Sequence, residues 1–331
     1  MVGEVNPPGF SLVSFANPDL KWEETAQFGI GFDYGFFNDR LNGSVDIYHK
    51  STTDLLLQQE SAQPAVQPFV FSNLDASVIN QGVEFMVNYD IIQQDDMNWN
   101  FGFNVAYNEN EVQDFDGLIQ TGEINGNGLT GAFAQLLAEG RPLFSYFLRE
   151  FAGFDENGIS IYPNGDQQQF VDKSALPDIT LGINTSFSYR NWDANAFLAG
   201  QYGQYIYNNT ANAFFTAGII NSGQNVTGNV LTNGESGANA PDVSTRFLEK
   251  GDFLRLQNLS VGYSVNLKEE SFLNSLRFSL IGQNLFVITP YSGLDPEVDT
   301  PSSLNNIPSA GIDYTSFPRA TTVTFGLNAS F

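Results

Sequence analysis

Apolar and polar residues alternate strictly over several long segments of the chain. In residues 25–37, TAQFGIGFDYGFF, the even positions hold Ala, Phe, Ile, Phe, Tyr and Phe, whereas the odd positions up to 35 are small or polar. Successive side chains of a β-strand point to opposite faces, so this period of two predicts a strand with one apolar face. The alternation resumes after Asn38 and Asp39, which predicts a tight hairpin into a second strand.

Seven further segments alternate in the same way and predict three more hairpins and a closing strand. One face of each carries Phe, Leu, Ile and Val with Tyr or Trp near its ends, and the other carries Gly, Asn, Ser, Thr and Asp. We therefore expect nine strands in all. The seven segments cover residues 82–91, 98–108, 179–189, 192–202, 253–265, 276–286 and 321–331.

The aromatic residues at the strand ends help to choose between two all-β architectures. A soluble β-sandwich has an equally apolar inner face, but aromatic belts at its strand ends would serve no purpose, and it predicts solubility without detergent. A barrel that spans a bilayer has an apolar outer face with aromatics at headgroup level, and its lumen face can be polar. Such a barrel is closed, because an open edge in lipid leaves peptide groups unpaired. The pattern favours an antiparallel transmembrane β-barrel.

Short and long connections alternate along the chain and predict its orientation, because outer-membrane barrels have short periplasmic turns and long external loops. We assign residues 1–24 to an external lead-in and residues 25–331 to the membrane-embedded portion. The strand before this region ends outside the membrane and the strand after it begins outside, so a single membrane strand at residues 144–151 is excluded. We therefore expect a β-hairpin of 144–151 with 159–162 inside one loop. The long external loops are residues 51–78, 109–177, 206–250 and 288–318.

The odd number of strands indicates that other sequence completes the barrel, since complete bacterial barrels have an even number. The inward positions are mostly Gly, Asn and Ser. Small barrels fill their interior with large side chains, so small inward residues favour a wide lumen that something else fills. We therefore expect one portion of a large barrel.

The composition agrees with this interpretation and excludes several functions. Only 15% of the residues are charged while 14% are aromatic, and no apolar run is long enough for a membrane helix. The net charge of −24 argues against nucleic acid as a partner. The absence of Cys and the single His49 exclude thiolate and multi-histidine zinc sites. The acidic residues show no visible pairing for glycoside hydrolysis, so no enzyme is expected.

Two motifs have a ligand interpretation beside a simpler one. Asp155, Asn157 and Asp166 could offer oxygen ligands to a structural Ca²⁺, but Gly158 is misplaced for an EF-hand loop and an acidic turn is favoured. Residues 126–131 spell GxGxxG, yet no buried parallel strand precedes them, which favours an external loop. No other cofactor is expected.

Aromatic residues among the amides and acids of the long loops are the candidate ligand-binding residues. Apolar ring faces combined with directed hydrogen bonds suit an oligosaccharide or a peptide. Alternatively, these rings pack the loops onto one another or onto a lid. The candidates are Phe69, Phe71, Phe154, Tyr162, Tyr205, Tyr207, Phe214, Phe215 and Tyr291.

Short sequence motifs, in order along nearly the whole chain, resemble the barrel of SusC/RagA-type TonB-dependent transporters of Bacteroidetes. The resemblance implies the C-terminal part of a 22-stranded barrel in the outer membrane, in contact with its lipid. The motifs are NPDLKWE at 17–23, GFFNDRLNGSVDIY at 35–48, TDLL at 53–56, NQGVE at 80–84, LPD at 176–178, YG at 202–203, IYN at 206–208, GDFLRLQNLSVGY at 251–263, GQNL at 282–285 and PR at 318–319.

The same resemblance implies import of glycans or peptides, powered by TonB and the proton-motive force, with a SusD-like surface lipoprotein as a lid. The plug domain and TonB box of such transporters are not readable before Asn17, so coupling to TonB would lie outside this sequence. Phe331, on the last amphipathic strand, resembles the signal read by the barrel-assembly machinery. The alternative function is a passive or structural outer-membrane barrel subunit completed by another chain.

Overall fold

The computed structural model describes residues 16–331 except 62, 63, 68, 127, 269, 270, 299, 301, 302, 305 and 306. Strands dominate this part of the chain, and none of its helices is long and apolar enough to cross a membrane. The helices are α1 (Asn209–Phe214), α2 (Ala217–Ile220) and two 3₁₀ turns, Gly228–Leu231 and Thr245–Phe247. The strands are β1 (Glu24–Phe36), β2 (Leu41–Thr53), β3 (Leu55–Glu60), β4 (Phe69–Leu74), β5 (Ser77–Gln93), β6 (Met97–Gln113), β7 (Ile119–Glu123), β8 (Phe133–Leu137), β9 (Ser145–Leu148), β10 (Gln169–Ser174), β11 (Ile179–Tyr189), β12 (Trp192–Tyr202), β13 (Tyr205–Asn208), β14 (Leu248–Lys250), β15 (Phe253–Ser264), β16 (Ser275–Ile288), β17 (Ser303–Leu304), β18 (Ile307–Pro308), β19 (Ile312–Asp313) and β20 (Thr322–Ser330).

Nine of these strands form one antiparallel sheet in the order β1-β2-β5-β6-β11-β12-β15-β16-β20. The all-β prediction and the predicted number of membrane strands are therefore confirmed. β6 continues to Gln113, five residues beyond the predicted end of the segment. The alternation does not predict this extension, because Glu109 and Glu111 continue the row of positions that is apolar in the first part of the strand.

The register aligns the apolar positions of neighbouring strands in continuous rows. In one row Phe32 is opposite Val45, which is opposite Phe85, followed by Val105 and Leu181. Phe32 is 67% exposed, and an apolar face of this extent is stable against lipid rather than water. Other side chains of this face that are more than half exposed are Phe28, Ile30, Phe36, Ile47, Leu280, Val323, Phe325 and Leu327.

Aromatic side chains lie at both ends of the apolar face. At the end with short turns Tyr189 pairs with Trp192, which pairs with Tyr263, and the last two ring centroids are 4.7 Å apart. At the other end Tyr107 and Tyr202 are both opposite Ile179. Amphipathic aromatic rings at these two levels are typical of membrane–water boundaries.

The apolar face gives way to a hydrogen-bonded polar row at its external end. His49 Nδ1 lies 3.3 Å from Gln81 Oε1, and Gln81 Nε2 donates to Glu109 Oε2 at 3.0 Å. His49 is therefore a wall residue at the external rim of the sheet.

On the polar face, glycines make room for larger side chains of the neighbouring strands. Tyr48 donates its hydroxyl to Asn108 Oδ1 at 2.7 Å, and a Cβ added to Gly82 would lie 2.8 Å from that hydroxyl. Packing of an aromatic ring across a strand glycine compensates for the missing side chain. The sheet therefore needs glycine here although glycine is a poor strand former.

Three long connections pack together beyond the external end of the sheet. We call residues 114–178, 203–252 and 289–321 the external cap. The cap contains a four-stranded sheet, β10-β9-β8-β7, and a three-stranded sheet, β14-β13-β19, whose strands come from two different connections. Its hydrophobic core is built by Ile124, Leu129, Ala134, Tyr146, Leu148, Ala175, Tyr207, Phe247 and Ile312.

The predicted hairpin of residues 144–151 with 159–162 is wrong. Strand β9 instead pairs with β10, and Gln135 of β8 is opposite Tyr146. A shorter pairing joins the residues after 151 to residues 159–161, and in it Ala152 N donates to Ile161 O at 3.0 Å. Tyr146 and Leu148 are fully buried in the core of the cap, so burial against distant segments decides the partner of β9.

Ile183→Lys should destabilise the folded protein in a bilayer by about 2–4 kcal/mol, because the new charge would face lipid near the middle of the sheet. Ile183 lies on the apolar face between Phe103 and Leu198. Ser186→Lys puts the same charge on the polar face of the same strand and should change stability by only about 0.5 kcal/mol. Urea unfolding in lipid vesicles measures both, and equal effects would contradict the assignment of the two faces.

Candidate functional site

The polar face of the sheet carries a groove of about 710 Å³, lined by residues including Tyr48, Lys50 and Asn108. Asp46 and Glu84, also in its lining, are directly opposite each other on β2 and β5. Like charges in this position destabilise a sheet. Neither carboxylate forms an ion pair with a residue that the structure describes, so the groove is electronegative at this point.

Arg255 anchors the last long connection to the sheet. Its side chain is only 4% exposed, with Nη2 2.5 Å from Asp295 Oδ1 and Nε 2.6 Å from Glu297 Oε2. Arg319 Nη2 lies 3.0 Å from Glu297 Oε1 and extends the network. Removing one partner of such a buried pair costs about 3–5 kcal/mol, because the remaining charge is uncompensated. The network therefore holds Asp295, Glu297 and Arg319 against β15.

A second buried ion pair holds parts of the cap together. Arg246 Nη1 and Nη2 lie 2.6 and 2.7 Å from the two carboxylate oxygens of Glu235, whose side chain is fully buried. Glu235 also accepts the backbone N–H of Ala217 at 3.0 Å. The guanidinium carbon of Arg246 is 4.9 Å from the ring centroid of Phe154 and 4.8 Å from that of Phe247. The ion pair and the contacts of Arg246 with two aromatic rings together join α2 to the segments that contain Phe154 and Phe247.

Two of the predicted aromatic residues are buried in contacts between connections. Tyr207 is fully buried and its hydroxyl donates to Asp242 O at 2.9 Å. Tyr291 is 5% exposed and donates to Asp313 Oδ2 at 2.6 Å. Neither offers a ring face to a ligand from solvent in this structure, so both hold the cap together.

Three further predicted residues are half-buried and lie beside basic side chains. Phe154 faces Arg246, as described above. The guanidinium carbon of Arg149 is 5.8 Å from the Tyr162 ring, and Lys173 Nζ is 4.9 Å from the Tyr205 ring. Cationic groups over ring faces stabilise the loops and leave only part of each ring accessible.

The remaining predicted aromatics lie in two places. Phe69 and Phe71 belong to β4, which forms a hairpin with β3, and Phe71 is 42% exposed. Phe214 and Phe215 end helix α1 and are half-buried. Phe214 stacks on Tyr314 with centroids 5.9 Å apart and an interplanar angle of 17°. Tyr314 was not among the predicted residues, because only the fold brings its connection against α1.

Asp155, one of the predicted calcium candidates, holds its own turn. Asp155 Oδ1 accepts the backbone N–H groups of Asn157 at 2.9 Å and Ile159 at 2.7 Å, which is an Asx turn. Within the described ranges no group of three His, Cys, Asp or Glu side chains is placed to hold a metal ion. The Asp155 carboxylate thus accepts hydrogen bonds from its own turn.

Burial and a hydrogen bond to Asp242 raise the pKa of Tyr162 to about 12. Burial also raises the pKa of Tyr146, Tyr207 and Tyr291 above its ordinary value. All four hydroxyls lie in the cap and stay protonated at physiological pH.

An apolar face bounded by aromatic residues, a polar opposite face and a cap of long connections define an integral outer-membrane β-barrel protein. The sequence matches the family described as TonB dependent receptor-like, beta-barrel, over residues 2–285. The chain belongs to this family, whose members are receptors and transporters rather than enzymes.

Two relatives illustrate the similarity. The chain is 30% identical to TonB-dependent receptor P3 of Formosa agariphila over 373 residues, covering 100% of this chain and 36% of that protein. It is 29% identical to TonB-dependent receptor SusC of Bacteroides thetaiotaomicron over 353 residues, covering 95% of this chain and 32% of that protein. The chain thus spans about a third of the length of the curated relatives it matches.

Solved structures share the fold. The structure of the RagAB peptide transporter superposes with a TM-score of 0.77 at 24% identity, covering 100% of this chain and 38% of that chain. The RagAB peptide importer in its open-open state gives a TM-score of 0.78 at 24% identity, covering 98% and 36%. The barrel architecture predicted from the alternation is therefore confirmed.

The cap should lose stability as the pH rises from 10 to 12. A tyrosine whose pKa is raised by folding contributes stability that is complete below its ordinary pKa of 10.0 and is lost as the pH passes the raised value. Hydrogen exchange of cap amides against pH measures this loss. Tyr162→Phe should weaken protection at neutral pH and reduce its alkaline dependence. Protection that is constant up to pH 12 would contradict the stabilising role of these hydroxyls.

Proposed function

We propose that this chain forms part of the wall and external cap of a TonB-dependent importer for glycans or peptides. The observation that carries the proposal is the large cap, with a hydrophobic core of its own, at the external end of a polar-faced sheet. A simple pore needs no such structure, whereas an importer must select a ligand on the outside. Membership in the TonB-dependent receptor family supports the same function.

A surface lipoprotein of the SusD kind is the proposed partner above the cap. The cap exposes large apolar side chains, including Leu118 at 68%, Leu231 at 69% and Leu294 at 72%. A partner protein that packs on the cap would bury these side chains. The resemblance of the sequence to SusC/RagA-type transporters implies the same kind of partner. Coupling to TonB would use sequence outside the described residues.

A second candidate is a passive or structural barrel subunit completed by another chain. The observation in its favour is that β1 and β20 each have a single neighbour in the described sheet. Lipid does not tolerate such open edges, so further strands must pair with both.

Deletion of the gene should abolish uptake of a specific oligosaccharide or peptide pool, and loss of TonB should have the same effect. The measurement is accumulation of fluorescently labelled glycans and peptides in wild-type, deletion and TonB-deficient cells, with and without a protonophore. Restoring the gene to the deletion strain is the control. Uptake that persists without TonB but is lost with the gene would favour the passive barrel instead.

We also propose that Phe331 is a recognition signal for barrel assembly. Phe331 is 73% exposed, and its ring centroid lies 5.1 Å from that of Phe272 in the preceding short turn. Removing Phe331 should lower the surface level severalfold while leaving ligand affinity unchanged, as measured by surface labelling and binding to purified protein. Phe272→Ala is the matched control, since it removes the contact but keeps the ring of Phe331. A normal surface level without Phe331 would sink the proposal.

A further inference from the structure

The cap contains a cavity of about 450 Å³ where its three connections meet. Asn125 comes from the first connection, Phe214 and Gln224 from the second, and Tyr314 from the third. This volume lies within the range of ligand-binding pockets, about 300–1,000 Å³. No function assigned so far uses this cavity.

The wall of the cavity is built by close approach of a loop to helix α1. Gly126 has a φ of +139°, and a Cβ added there would lie 2.7 Å from the Cβ of Ala213. Asn209, fully buried on α1, donates its side-chain N–H to Asn125 O at 2.7 Å. The GxGxxG motif therefore supplies the glycine that lets this loop contact the helix. The position of Asn125 is fixed before any ligand arrives.

The side chains of the cavity combine an aromatic pair with free amides. Phe214 and Tyr314 are half-buried and stack on each other. The amide groups of Asn125 and Gln224 have no hydrogen-bond partner among the described residues, and no charged residue lines the cavity. Ring surfaces and free amide donors and acceptors suit a ligand with apolar C–H faces and many hydroxyl groups.

A buried carboxylate next to the cavity makes it unfavourable for anions. Asp313, adjacent to Tyr314, accepts hydrogen bonds from Tyr291 at 2.6 Å, Thr210 at 3.3 Å and the backbone of Ser316 at 3.3 Å. It forms no ion pair with any basic residue in the described part of the chain. Its charge is thus held by neutral donors, and the resulting negative potential disfavours an anionic ligand. Acidic residues also outnumber basic ones threefold in the three connections of the cap.

We infer that this cavity is a binding subsite for a neutral sugar ring of an oligosaccharide. The inference rests on the proposed importer function and chooses glycan over peptide as its ligand class. A sugar ring offers C–H faces to Phe214 or Tyr314 and hydroxyl groups to Asn125 and Gln224. A peptide brings charged termini or side chains, and the cavity has no charged residue in its lining to receive them.

The test is a glycan array probed with the complete protein purified in detergent. The array contains neutral, sulfated and uronate-containing oligosaccharides, and a mixed peptide pool is measured in parallel by calorimetry. We expect neutral oligosaccharides to bind and anionic ones to be excluded. Tyr314→Ala and Phe214→Ala should weaken that binding by roughly 3- to 10-fold, the range expected for losing one aromatic contact.

Two further variants separate binding from folding. Gln224 is exposed, so Gln224→Ala should leave the cap folded and still weaken sugar binding. Phe317 is 95% exposed in the same segment as Tyr314 and does not line the cavity, so Phe317→Ala should bind normally. Thermal unfolding of each variant confirms that the cap is intact.

Each remaining outcome overturns a definite claim. Absence of binding to every neutral oligosaccharide, or binding unaffected by Tyr314, Phe214 and Gln224, overturns the subsite. Peptide binding that depends on these residues overturns its ligand class. Uptake that does not require TonB would instead refute the importer function while leaving the array result unchanged, so the two failures are distinguishable.

Discussion

The need to pair every peptide group that faces lipid governs the rest of this structure. An unpaired group in hydrocarbon costs several kcal/mol, so nine long strands pair along their length and leave irregular backbone to the ends. Since paired residues share a face, the register that pairs the backbone also gathers Phe, Leu, Ile and Val on one side. Polar and charged side chains that could bind a ligand are therefore confined to the polar face and to the connections. Of these connections, the external ones are long enough to fold.

The membrane strands were predictable because the lipid and the polar interior impose opposite demands on successive residues. The prediction missed the external part of β6, where Glu109 and Glu111 face outward above the apolar band and the lipid no longer selects apolar side chains. Inside the cap no lipid boundary selects apolar side chains at alternate positions. The pairing of β9 with β10 and of β13 with β19 depends on which side chains distant segments bury together, and a local pattern does not contain that information.

The candidate site was predictable only as a class of residues. Seven of the nine predicted aromatic residues lie in the cap, but the sequence does not distinguish the buried Tyr207 and Tyr291 from the half-buried Phe214. That distinction depends on contacts between connections far apart in sequence. Arg255 lies within a motif that resembles the family, yet its role as an anchor appears only when the fold places Asp295 and Glu297 beside it.

The shared core of the cap constrains how such a protein can diversify. Ile124, Tyr207 and Ile312 pack in one cluster although each belongs to a different connection. Exchanging a single connection with that of a relative would leave the other two connections packed against a foreign surface. New ligand preferences must therefore arise either from point changes at its cavities or from recombination that transfers all three connections together. For the protein engineer, the graftable unit is the whole cap and not the individual loop.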